Sequence, residues 1–119
     1  METRAVREGN GWRINGEKFW NTGVHVANYD MVFARTSGKD GDARGITCFL
    51  VPMNDPGVKV EFYYWTFNMP TDHAHVTFKD VWVPDSAVFG PPDNGLVLAR
   101  HFVHENRIRQ AASSLGAGV

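Results

Sequence analysis

Short runs of β-branched and aromatic side chains, each closed off by Gly, Pro or Asn, constrain this chain more than any other feature. Eight Phe, four Trp and three Tyr make up 13% of its 119 residues, and such rings favour pleated, half-buried surfaces. Asn10-Gly11 and Asn15-Gly16 read as hairpin turns, because Asn and Gly tolerate the positive φ angles of a tight turn. They predict three successive antiparallel strands at residues 3–7, 12–15 and 17–21. Alternation then places Trp12 and Ile14 on one face and Arg13 on the other, and sets Lys18 with Trp20 opposite Phe19. Further strands are expected at residues 31–36 and 46–53, separated by the polar, Gly-rich loop 37–45. Asp55-Pro56-Gly57 turns the chain into a strand at 58–64. A last strand, 74–83, sets Val76, Phe78 and Asp80 on one side and Thr77, Lys79 and Val81 on the other, before Pro84 ends it. Seven short strands in under 90 residues predict a mainly β fold, an antiparallel β-barrel or sandwich.

Residues 90–95 are rich in helix breakers, and from residue 96 the period changes. Leu98 with Phe102, Ala99 with Val103, Ile108 with Ala112, and then Leu115 recur at three- and four-residue intervals. They predict one C-terminal amphipathic helix, stopped by Gly116 or Gly118. Its apolar stripe has no second helix in the chain to meet. It is expected to pack on the β-domain, on another subunit, or on a part of the protein outside this chain, and we take the last.

Composition excludes several classes of function. Twelve Lys and Arg against 13 Asp and Glu leave a formal charge of −1, so nothing points to nucleic acid or an anionic membrane. No apolar run approaches the roughly 20 residues of a membrane helix, and no apolar stretch follows Met1 as in a secretory signal. The single cysteine, Cys48, fits a reducing, cytoplasmic setting, and between Thr47 and Phe49 it reads as a buried strand thiol rather than a reactive one. His101 and His104 could share a metal on one helical turn, but Glu105 points elsewhere. His73 and His75 flank Ala74 on one side of a strand, and Asp72 before them suggests a hydrogen-bonded turn. No metal site is assigned. Glycine-rich nucleotide loops and paired cysteines are absent from the sequence.

Trp20-Asn21-Thr22-Gly23 brings a large aromatic, a hydroxyl and a glycine to a strand end, where ligands bind in β-domains. From the residues alone, a core Trp beside a turn Thr is the plainer reading. The run from Asn15 to Gly23 resembles the Asn-Gly-x-Lys-x-Trp-Ile-Thr segment of the acyl-CoA dehydrogenase family. Other segments follow in the same order: Gly45-Ile46-Thr47-Cys48-Phe49-Leu50-Val51, Pro56-Gly57-Val58, Val76-Thr77-Phe78-Lys79-Asp80-Val81-Trp82-Val83-Pro84, and Arg107 to Gly116.

The resemblance implies a fragment of a larger α+β flavoenzyme. Residues 1–90 would be the middle β-domain, its first segment missing, and residues 91–119 the start of the C-terminal helical bundle. The implied activity is FAD-dependent oxidation of an acyl-CoA thioester to the 2-enoyl-CoA, in fatty acid metabolism. The implied partners are acyl-CoA, an electron-transfer flavoprotein and further copies of the subunit in a dimer or tetramer. Trp20 matches the tryptophan that flanks the flavin ring, and Thr22 the hydroxyl that donates to flavin N5. Asn21 and Gly23 depart from the usual Ile and Asn, and residues 68–72 depart from the family's substrate-contacting loop. Arg107 matches a recurrent arginine whose role lies between the active-site end of the helix and a salt bridge. No catalytic carboxylate is expected in this chain, which alone should be inactive. A flavin-dependent monooxygenase or oxidase on the same scaffold, and a non-catalytic β-module for assembly or binding, are the alternatives.

Overall fold

The computed structural model describes residues 1–66 and 69–118. Along these residues run strands β1 (Arg4–Glu8), β2 (Gly11–Thr22), β3 (Tyr29–Arg35), β4 (Ile46–Pro52), β5 (Val58–Thr66) and β6 (Met69–Pro84). A 3-10 turn at Asp85–Ala87, strand β7 (Val88–Phe89) and helix α1 (Gly95–Ala117) complete the chain. The strands form one sheet in the order β5-β6-β2-β1-β3-β4-β7, antiparallel at every join except β1 with β3. Its edges, β5 and β7, do not meet, so the sheet stays open and does not close into a barrel.

A single parallel pair, Arg4 with Arg35, joins the two halves, with the Arg35 amide donating to the Thr3 carbonyl at 2.9 Å. Both halves feed one core. Ile14, Val76, Val81 and Val83 come from β2 and β6, while Val32, Phe49 and Val51 come from β3 and β4. Trp12 meets Phe49 edge-on across the halves, ring centroids 5.6 Å apart. Burying a side chain of this size contributes about 1.5–3 kcal/mol, so the contact between the halves, more than the single parallel pair, holds them together.

The turn signals need correction in two places. Pairing of Glu8 with Gly11 makes Gly9 and Asn10 the loop, one residue earlier than expected, with Gly9 at a φ of 60° in the position a type II′ turn demands. Asn15-Gly16 is no turn at all, and β2 runs straight through it. The Asn15 Oδ1 accepts the Asp80 amide at 2.8 Å, and Gly16 is needed for close approach: a Cβ there would lie 2.5 Å from the Thr3 Cα.

Two bulges explain the remaining differences. Ile14 pairs with Val81 but Gly16 with Phe78, so β6 carries an extra residue around Asp80, whose φ is 53°. The extra residue turns Val81 to the core side, against the expected alternation, and Val76, Phe78, Val81 and Val83 are all buried while Asp80 is exposed. Lys18 pairs with Val76 but Asn21 with Ala74, so β2 carries its own extra residue around Trp20, φ 59°. The second bulge restores the register that the first displaced. It also separates Lys18 from Trp20: the Lys18 Nζ donates to the Phe33 carbonyl at 2.7 Å, while Trp20 stacks on Tyr64.

Loop 37–45 wraps the buried Arg35 guanidinium, which donates to the carbonyls of Ser37, Asp42 and Arg44. Asp93 ties the linker to the sheet, accepting from the hydroxyls of Thr36 at 2.7 Å and Ser37 at 2.9 Å. Helix α1 starts at Gly95, where a Cβ would stand 2.9 Å from the Ile46 carbonyl oxygen, and packs on β4. Its 23 residues extend about 34 Å. The apolar residues fall into two sets rather than the single expected stripe. Leu98, Ala99, Phe102 and Val103 lie roughly 140° around the axis from Ile108, Ala112 and Leu115. Phe102, Ile108 and Leu115 are 65%, 61% and 73% exposed.

The two glycine environments make a paired prediction. Gly16→Ala, with φ at 141° and backbone at 2.5 Å, should destabilise the fold by about 2–3 kcal/mol in urea unfolding. Gly23→Ala, at φ 80° with nothing within 4 Å, should cost only about 1 kcal/mol.

Candidate functional site

A left-handed backbone at a tryptophan costs about 1 kcal/mol and persists only where the surroundings impose it. At Trp20 the β2 bulge imposes it, and the indole stacks on Tyr64 with centroids 3.8 Å apart and planes 19° from parallel. Tyr64 meets Phe62, Phe62 meets His75, and His75 stacks on Phe19, so a continuous row of rings braces the indole. Trp20 is 55% exposed, which replaces the core reading of this residue. It lines a cleft of about 720 Å³ together with Asn21 and Thr22; Met31 and Phe33 of β3 and Leu98 and Phe102 of α1 form other walls. Trp20 and Thr22, singled out from the sequence, are thus brought to one cleft.

Thr22 is the direct cross-strand partner of His73, and its Oγ1 lies 2.8 Å from His73 Nδ1. Gly23 follows at φ 80°, its amide donating to the Asp72 carbonyl at 3.0 Å. Asn is the residue that best tolerates such a φ after Gly, which reconciles Gly23 with the Asn usual at this place in the family it resembles. Asn21, where Ile is usual, turns its amide to Asp30 Oδ2 at 2.6 Å.

A small polar cluster runs inward from the cleft wall, which Asn21 and Asp30 both line. Burial pushes Asp30 above the usual carboxylate range, against the opposing pull of the Asn21 hydrogen bond and of Lys18. Burial likewise pushes Lys18 down, with Asp30 pulling it back up. Cys48 is pushed up to about 11, by burial first and by the Asp30 charge second, in keeping with the buried strand thiol.

The remaining candidates are scattered. His75 Nε2 lies 2.8 Å from Glu17 Oε2, so His73 and His75 face different partners. His101, His104 and Arg107 line a shallow groove on the helix, and His101 also borders the cleft of Trp20 and Thr22. No group of three His, Cys, Asp or Glu poised for a metal occurs among the described residues. Asn68 lies outside the described residues; in the rest of that segment, Thr71 donates to the Tyr64 carbonyl at 2.8 Å. Among the described residues no helix is long and apolar enough to cross a membrane. Sequence reasoning missed Tyr64 and His73 as partners of the pair. A period-two pattern carries no sign of them, because both depend on cross-strand register.

The family pattern of the acyl-CoA dehydrogenase middle domain matches residues 1–81. Cyclohexane-1-carbonyl-CoA dehydrogenase of Syntrophus aciditrophicus is 34% identical over 117 residues, covering 98% of this chain and 30% of its own length. Among solved structures, the Tcur3481–Tcur3483 steroid ACAD superposes with a TM-score of 0.76 at 28% identity, over 83% of this chain and 25% of that one. A FAD-dependent dehydrogenase does so with a TM-score of 0.70 at 27% identity, over 83% and 27%. The chain belongs to the acyl-CoA dehydrogenase family. It spans 16% and 30% of the length of two curated relatives, a minor part of either.

The thiol offers a direct check on the cluster. In the folded chain Cys48 should keep its proton well past the ordinary thiol range, so iodoacetamide labelling at pH 8 should run on the order of 100-fold slower than in urea. The sign for stability follows. A raised thiol pKa leaves stability intact below the ordinary range and erodes it as pH climbs toward about 11, because the unfolded chain ionises first. Urea midpoints measured across that window should fall.

Proposed function

We propose that this chain is the middle β-domain (residues 1–90) and the opening of the helical bundle (residues 91–119) of a FAD-dependent acyl-CoA dehydrogenase. Its substrate would be an acyl-CoA thioester, its electron acceptor an electron-transfer flavoprotein, and its assembly a homo-oligomer. One observation carries the reading: a half-exposed, braced indole and a hydroxyl side by side on the wall of one cleft.

These residues fit a flat, partly polar ring. Tyr64 fixes the plane of the Trp20 indole, which can cover such a ring and exclude water from it. The Thr22 hydroxyl can donate to a ring nitrogen and favour its electron-rich state. The apolar side chains Met31, Phe33, Leu98 and Phe102 supply much of the remaining wall, which Asp30, His101 and Glu105 share. When bound, the flavin supplies a hydride acceptor at N5 for the substrate β-carbon as a base removes the α-proton, leaving a trans-2-enoyl thioester. No carboxylate in this chain is assigned that base. The 119 residues on their own should therefore be inactive.

Two measurements test the proposal. In the complete flavin-loaded protein, Thr22→Val should slow reduction by acyl-CoA under anaerobic conditions by on the order of tenfold, about 1.4 kcal/mol of barrier, with little change in thermal stability. An unchanged reduction rate removes Thr22 from the site. The isolated chain should bind FAD weakly or not at all in a fluorescence titration, and tight stoichiometric binding would mean that its own residues hold the whole cofactor.

A further inference from the structure

The β2 bulge does more than expose an indole. Had β2 continued from Lys18 without its extra residue, the ladder would have set Asn21 against His73 and Thr22 against Asp72. With the bulge, Thr22 and His73 become direct partners, their Oγ1 and Nδ1 atoms 2.8 Å apart. The same ring nitrogen lies 3.5 Å from Asp72 Oδ1. A lone pair on Nδ1 would face that carboxylate, whereas an N–H there is attracted to it. A hydroxyl can either donate or accept, and when it accepts from an imidazole its own hydrogen is left free. The only other acceptor placed for that hydrogen, among the described residues, is the Trp20 carbonyl at 3.5 Å, at the outer limit of a hydrogen bond.

We propose that His73 is a positioning residue for Thr22: the Asp72 carboxylate holds its ring in the Nδ1–H tautomer, that N–H donates to Thr22 Oγ1, and the hydroxyl hydrogen is thereby left for an acceptor in the cleft. The proposal rests on the flavin reading for what that acceptor is, a ring nitrogen, but not for the orientation of the hydroxyl itself. Asp72, His73 and Thr22 form a short relay in which a surface carboxylate sets the direction of a hydrogen bond two groups away. A neutral ring of the opposite tautomer would take the hydroxyl hydrogen for itself and leave the cleft with an acceptor instead of a donor.

The tautomer is measurable without any flavin. In the ¹⁵N-labelled chain at pH 8, long-range proton–nitrogen correlation spectra should show His73 with its proton on Nδ1, and Asp72→Asn should move the ring toward the Nε2–H form. A wild-type ring protonated on Nε2 overturns the proposal, whatever the flavin does. In the complete flavin-loaded protein, His73→Phe should slow reduction by acyl-CoA about tenfold at unchanged KM, and His73→Asn, whose amide can still donate, should recover most of the rate. Equal losses in the two variants would assign His73 a packing role only and overturn the relay. An Nδ1–H ring combined with reduction indifferent to Thr22→Val would refute the flavin reading while upholding the orientation of the hydroxyl.

Discussion

The β2–β6 ladder governs nearly everything else in this molecule, through two extra residues placed on opposite strands. The first, around Asp80, slips the pairing by one and turns Val81 and Val83 toward the core with Val76 and Phe78. The second, around Trp20, slips it back. Between them lie the three residues from Gly16 to Lys18, where Gly16 lets Thr3, just ahead of β1, approach and Lys18 reaches across to β3. Because a one-residue slip exchanges the two faces of a strand, neither bulge could be removed alone without moving a buried set into solvent. The strain at Trp20 and Asp80 is balanced against the burial of five apolar side chains on β6, from Ala74 to Val83.

Strand content, the long polar loop and the helix were legible in the sequence because each rests on a local signal. Val58, Ile46 and Gly95 open elements close to where punctuation and periodicity set them. Asn15-Gly16 misled for a physical reason. The dipeptide that suits a turn also suits a strand position where a neighbouring backbone leaves no room for a Cβ, and only the tertiary neighbour, Thr3, decides between them. The bulges were invisible because a period-two pattern does not mark an extra residue: Asp80 tolerates its positive φ better than most residues do, but at Trp20 the left-handed conformation is imposed by the ladder rather than preferred by the residue.

The cleft was legible only in part. Family resemblance pointed to Trp20 and Thr22, and the backbone explains how two residues that simple alternation would place on one strand face come to line a single wall. Tyr64 and His73 sit some 40 to 50 residues away in sequence and are joined to them by register alone. Asn21 illustrates the opposite case. Read as a departure from a familiar pattern, it proves to be the hydrogen-bond donor that steadies Asp30 in the cleft wall.

Helix α1 is clamped at its first residue, where Gly95 lies against the Ile46 carbonyl, and its own side chains Leu98 and Phe102 close one flank of the cleft. A rod about 34 Å long, pivoted there through about 10°, would carry its far tip about 6 Å while the flanking side chains shift by only about 1–2 Å. A displacement of the distal end, where Ile108 and Leu115 are exposed, would therefore reach the gap beside the indole much reduced.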